Sequence, residues 1–235
     1  EVGTDHWLVF RNEAAGFATT AQSWSLPGGY PTDAFDRVAR DDSSQSSVGQ
    51  RSFGLRDLDG DRQPELIITD DCDHDAVGAD HWRVHPNQGD VFGPAVAWAL
   101  NGNASVDRFD DLAADGSTTC AYGSLSYSVR DVDGDRAADL IVTDDCDLAH
   151  VGTSHWLLQA SRPAAAELAP AVGFSLPPGF ATDAFDDAAA DRSDTCASGQ
   201  RSHATLDMDG DGVPELVVAD DCDVGGECLG QETLS

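Results

Sequence analysis

The stretch RDLDGDRQPELIITDDCD, Arg56–Asp73, alternates acids with other residues, passes into an apolar run and ends in acids around a cysteine. It recurs as RDVDGDRAADLIVTDDCD at Arg130–Asp147 and as LDMDGDGVPELVVADDCD at Leu206–Asp223. The short β-branched run reads as a strand, and the acidic segment with its central glycine reads as the turn that feeds it.

Working outward, other motifs keep the same order and spacing. VGTDHW at Val2–Trp7 returns as VGADHW at Val77–Trp82 and VGTSHW at Val151–Trp156, with a vestige, VGGECL, at Val224–Leu229. SWSLP ending at Pro27 returns as AWALN ending at Asn101 and GFSLP ending at Pro177. DAFD at Asp33–Asp36 returns as DRFD at Asp107–Asp110 and DAFD at Asp183–Asp186. The repeat is about 75 residues long, and three copies fill the 235-residue chain.

Each copy reads as four short strands. SFGLRD and ELIITDD flank the acidic loop. A strand beginning at the His-Trp pair comes third, and the Trp24, Trp98 or Phe174 segment comes fourth. No long helical period interrupts them. The expected fold is therefore all-β and propeller-like, with three four-stranded blades. The chain begins with strands three and four, at 1–27, and ends with strands one and two, at 201–223. These half-blades would complement each other and close a ring without an open edge. Complete blades fall at 51–101 and 125–177, and a tail follows at 224–235. A small three-bladed ring and a larger ring shared by two chains are both open.

In the first loop Asp57, Asp59, Asp61 and Glu65 occupy positions 1, 3, 5 and 9, with Gly60 in the turn. The carbonyl of Gln63 is available at position 7. The equivalents are Asp131, Asp133, Asp135, Ala137 and Asp139, then Asp207, Asp209, Asp211, Val213 and Glu215. Alternate positions of a tight turn aim oxygens inward. Close carboxylate pairs repel by on the order of 1–4 kcal/mol at 4 Å. A hard cation taking six to eight oxygens relieves this, and flexible carboxylate geometry favours Ca²⁺ over Mg²⁺. The loop opens like an EF-hand, but its twelfth position is Ile68, Val142 or Val218 rather than glutamate. At least three calcium ions per chain are expected.

These loops resemble the FG-GAP and VCBS-type repeats of integrin-like β-propellers. The resemblance covers about 17 residues per copy and implies a hairpin loop holding Ca²⁺ between the first two strands of a blade. It implies a ligand-binding or adhesion module, sometimes lectin-like, since such propellers rarely carry catalysis themselves.

The chain carries 43 acids against 13 basic residues, a formal charge of −30. Such a charge disfavours nucleic acid and anionic membranes as partners. No apolar run spans a bilayer, and six cysteines point to an oxidising, secreted setting. Two disulfide schemes compete. One set joins Cys120–Cys146, Cys196–Cys222 and Cys72–Cys228; a rival set joins Cys72–Cys120, Cys146–Cys196 and Cys222–Cys228.

The DDCD acids, including Asp70, Asp71 and Asp73, would form second cation sites with the DAFD acids or simply end a strand. His6, His81 and His155 would meet around a transition metal or each bond a neighbour. No nucleophile elbow, P-loop or dinucleotide fingerprint appears, and no catalytic residue is assigned. The expected function is a secreted calcium-stabilised module binding a glycan or surface protein, as a monomer or ring-sharing homodimer. The alternatives are an adhesive segment of a larger repeat protein and, less favoured, a carboxylate-based hydrolase.

Overall fold

The computed structural model describes residues 1–14, 16–32, 34–40, 51–74, 76–101, 109–114, 124–148, 150–180, 184–190 and 201–221. They belong to two compact units, Glu1–Leu112 with Arg162–Leu168, and Ala113–Ser161 with Ala169–Ser235. The protein is all-β. Among the described residues the only helix is a 3-10 turn at Pro163–Ala165.

In the first unit the strands Arg51–Arg56, Glu65–Asp71, His81–His85 and Val96–Ala99 pair antiparallel in chain order. Glu167–Leu168 adds to the fourth strand in parallel, opposite Ala99. His6–Val9 pairs with Gln22–Ser25 as a separate two-stranded sheet. In the second unit Leu125–Arg130, Asp139–Asp145, His155–Gln159 and Val172–Ser175 repeat the four-strand order. Arg201–Leu206 and Glu215–Asp221 repeat its first two strands. The sheets are separate and none is closed.

The second strand of a copy is central, and its burial explains its composition. Every residue of ELIITDD and DLIVTDD is buried, as a continuous apolar run between two neighbouring strands requires. Each first-to-second pairing slips by one residue at the same place, between Ser52 and Phe53, Ser126 and Tyr127, and Ser202 and His203. The residue left over on the second strand is Thr69 or Thr143. Its hydroxyl donates to the carbonyl of Asp110 or Asp186, at 2.8 Å in both copies. The bulge thus aims a side chain at the DRFD or DAFD turn.

That turn is the lock of the repeat. The Trp of each His-Trp pair donates its ring N–H to the turn's Phe carbonyl: Trp7 to Phe35 at 2.8 Å, Trp82 to Phe109 at 2.8 Å, and Trp156 to Phe185 at 2.7 Å. The glycine before the pair makes room. Gly78 and Gly152 have φ of 88° and 79°, and a Cβ there would lie 2.7 and 2.9 Å from the carbonyl oxygens of Thr69 and Thr143. Trp82, Trp156, Phe35 and Phe185 are among the most buried side chains. The VG, HW and DAFD motifs are therefore packing motifs. One cluster gathers Phe35, Phe53, Leu66 and Ile68 in the first unit, and another gathers Val132, Ile141, Trp156 and Phe185 in the second.

Two features differ from the sequence reading. Two-residue strands at Ala113–Ala114 and Ala189–Ala190 pair with first strands from the connecting segments. Two residues carry no readable period, and pairing alone reveals them. Cys72 is a free thiol, so neither the Cys72–Cys228 nor the Cys72–Cys120 bond is formed. By sequence, the first copy carries Ser46 where the other two carry Cys120 and Cys196. Cys146 is disulfide-bonded; Cys120, Cys196, Cys222 and Cys228 lie outside the described residues.

Candidate metal centre

Each acidic loop joins a first strand to a second, and the three loops are built alike. The first acid accepts two backbone N–H bonds from the turn. Asp57 takes those of Gly60 and Arg62, at 2.7 Å each. Asp131 takes those of Gly134 and Arg136, at 2.8 and 2.9 Å. Asp207 takes those of Gly210 and Gly212, at 2.7 and 3.0 Å. The second acid accepts the N–H of the third, as Asp59 does from Asp61, Asp133 from Asp135 and Asp209 from Asp211. The third accepts from position 7: Asp61 from Gln63, Asp135 from Ala137, Asp211 from Val213. The fourth reaches back across the loop. Glu65 accepts from Leu58, Asp139 from Val132, and Glu215 from Met208.

The turn demands left-handed backbone at two points. The central glycines Gly60, Gly134 and Gly210 have φ of 78°, 82° and 81°. Two residues later the conformation recurs at Arg62, φ 72°, Arg136, φ 80°, and Gly212, φ 95°. Arginine is a strained occupant there and glycine is not.

The result is a convergence of anionic oxygens. One carboxylate oxygen from each of Asp57, Asp59, Asp61 and Glu65 lies within 4.8 Å of the others. Asp131, Asp133 and Asp139 form the second group and Asp207, Asp209 and Asp211 the third. Asp135 and Glu215 sit in their loops but outside those groups. The three clusters could hold metal ions.

Burial sharpens the crowding. Glu65 is 2% exposed and Asp139 is fully buried. Loss of water pushes the Glu65 carboxyl up to about 7, with the charges of Asp59 and Asp57 adding to the rise and the Leu58 N–H opposing it. Asp139 is pushed up to about 6, again first by burial. Burial also raises Asp59 and Asp131. Carboxyls this hard to ionise, packed against like charges, fit a site completed by a cation.

The second and third loops touch within their unit. A Cβ on Gly134 would meet Val213 Cγ2 at 2.3 Å, and Arg130 donates to the Thr205 hydroxyl at 2.7 Å. Thus Val213 at position 7 of one loop packs on the turn of another.

The other candidate sites do not assemble among the described residues. No metal-holding group includes a histidine. His6 bonds Asp5, and His155 lies 3.0 Å from the Ser154 hydroxyl. The DDCD acids gather no second cluster either; Asp71 instead pairs with Arg51, Arg83 and His74. Asp33, Asp107 and Asp183 lie outside the described residues. Sequence reasoning missed the fourth acid's second role as the cap of the position-2 N–H. Its recurrence nine residues from the loop's start was the available signal.

No protein-family model matches the chain, and no curated protein does. Among solved structures, a chain of the Photorhabdus luminescens Tc holotoxin pore is similar in fold, with a TM-score of 0.52 and 16% identity. The match covers 92% of this chain and 7% of that one.

Proposed function

We propose that the chain is a secreted calcium-binding β-propeller repeat module in which Ca²⁺ is structural. The observation that carries this reading is the threefold recurrence of one hydrogen-bonded acidic loop, with carboxylate oxygens within 4.8 Å in each copy. Asp57, Asp59, Asp61 and Glu65 would hold the first ion, with the carbonyl of Gln63. Asp131, Asp133, Asp135 and Asp139 with Ala137, and Asp207, Asp209, Asp211 and Glu215 with Val213, would hold the others. Each ion would neutralise crowded carboxylates and tie a first strand to a second. The resemblance to FG-GAP and VCBS-type repeats supports this assignment, as does the hard-oxygen donor set.

The proposed architecture is three four-stranded blades, the N- and C-terminal half-blades completing one blade. It would be a monomer or half of a ring-sharing homodimer. The acids have a metal role available, so the reading is of a non-enzymatic binding module for a glycan or surface protein, not a nucleic-acid or membrane-inserting protein. A glycan array probed with and without calcium tests the binding claim, and native mass decides between the two rings. The adhesive-segment alternative predicts no small ligand at all.

A further inference from the structure

The first unit contains a cavity of about 550 Å³ whose lining includes Tyr30, Arg51, His74, Arg83 and His85 and, among the described residues, no Asp or Glu. That is unusual in a chain of charge −30. The basic groups are held in place from behind. The Asp71 carboxylate, with a side-chain exposure of 0%, pairs with Arg51 at 3.2 Å, Arg83 at 3.3 Å and His74 at 2.9 Å. Arg51 also pairs with Asp73 at 3.0 Å and lies over the Tyr30 ring, 5.3 Å from its centre. His85 approaches the Gly93 carbonyl through Nδ1 at 2.8 Å, so Nδ1 carries the proton. Its Nε2 is then the acceptor for the Tyr30 hydroxyl, at 2.8 Å.

The repeat supplies an internal control. By strand register, Arg83 and His85 oppose Ile68 and Leu66, and their counterparts Leu157 and Gln159 oppose Val142 and Leu140. Arg51 corresponds to Leu125, both opposite the second Asp of DDCD. By sequence His74 corresponds to Leu148, and Tyr30 to Ala104, which lies outside the described residues. The second copy forms the same four strands with leucine in place of Arg51, His74 and Arg83 and glutamine in place of His85. The four strands therefore do not require these arginines and histidines, although Arg201 of the third copy, at the position of Arg51, also lies over an aromatic ring, that of Phe180, 4.7 Å from its centre.

We infer that this cavity binds a small oxyanion-bearing ligand, with a carboxylate carried on a sugar-sized body as the favoured form. A lining that carries two guanidinium groups and, among its described residues, no carboxylate calls for an acceptor-rich ligand, and guanidinium groups match a carboxylate geometrically. The volume suits a body of about one or two sugar rings. Arg83 and His74 reach the opening, their side chains being 23% and 54% exposed. The inference rests on the ligand-binding part of the proposed function and not on calcium.

The test is titration calorimetry on the full chain in calcium buffer, using D-glucuronate, D-glucose and sodium sulfate as probes. Arg83→Leu and His74→Leu install the residues the second copy carries. Glucuronate should bind, glucose should bind at least about tenfold more weakly, and each variant should weaken glucuronate by at least about tenfold. Sulfate binding that is lost in Arg83→Leu would support an oxyanion site that reads no sugar. Equal binding of glucose and glucuronate, glucuronate binding unchanged in the folded His74→Leu variant, or no binding of either oxyanion at about 10 mM would overturn the inference. Metal content measured on the same samples separates this failure from failure of the calcium reading.

Discussion

The backbone N–H of Leu58 donates to the Glu65 carboxylate at 2.7 Å, and both residues are buried. The acid that closes the loop is thus also the acceptor for an N–H that has no water. Glu65→Ala should cost about 1–3 kcal/mol by leaving that donor orphaned. For a chain of this size that is a fall of roughly 2–4 °C in melting temperature per kcal/mol. Glu65→Gln keeps an acceptor, so in chelator it should melt clearly above Glu65→Ala. Equal melting of the two variants in chelator would show that the bond carries no weight.

The pH dependence follows from the raised carboxyls. Glu65 moves from 4.5 to about 7 and Asp139 from 3.8 to about 6 in the fold without metal. Between those limits the folded chain holds protons that the unfolded chain has lost. The stability these groups supply is fully present below the lower values and lost as pH rises through the upper ones. In excess chelator the melting temperature should fall between pH 4.5 and 7, and less steeply in Glu65→Gln. With calcium the slope should flatten or reverse, because deprotonated ligands bind better. Calorimetric scans across that range check both signs.

The left-handed positions make a directional prediction. Arg62 and Arg136 adopt φ of 72° and 80° where the third loop has Gly212. Arg62→Gly should raise stability by about 1 kcal/mol or less, since relief of strain outweighs the added freedom of the unfolded chain. Gly212→Arg should lower it. Paired melts of the two variants test this, and a fall in Arg62→Gly or a rise in Gly212→Arg would refute the strain argument.

Much of this was legible in sequence for a physical reason. A strand such as ELIITDD is long, β-branched and wholly buried, so pattern and burial agree. The acidic loops were legible because four acids at fixed offsets have few uses. The roles of His6, Asp71 and Trp7 were not, because each depends on a partner distant in the chain or on a neighbour's geometry. Trp7 meets the Phe35 carbonyl across 28 residues. Asp71 was read as a metal ligand or a strand end, and three basic side chains make it an anchor instead.

The free thiol of Cys72 also has a consequence by parity. With six cysteines in the chain, one free thiol leaves an odd number to pair. A second of the six must then lack a partner among them. Under denaturing, non-reducing conditions a monomer of this sequence should show at least two reactive thiols, and Cys72→Ser should remove one. A count of zero in a monomer would mean that Cys72 is bonded after all.

Calcium should also govern melting. Binding to the folded loops alone stabilises by about 2.7 kcal/mol per site at a hundredfold excess over the dissociation constant. Excess chelator should lower the melting temperature by over about 10 °C, given roughly 2–4 °C per kcal/mol and three sites. Mg²⁺ should restore little, because it resists irregular many-oxygen coordination.

The most direct measurement is the metal content of the chain after exhaustive dialysis against calcium buffer. The account predicts at least three equivalents of calcium per chain, falling by one in Asp133→Ala while the first and third loops, around Asp59 and Asp209, stay filled. Fewer than two equivalents, or a content unchanged by Asp133→Ala, would contradict the claim that these repeated acids hold calcium.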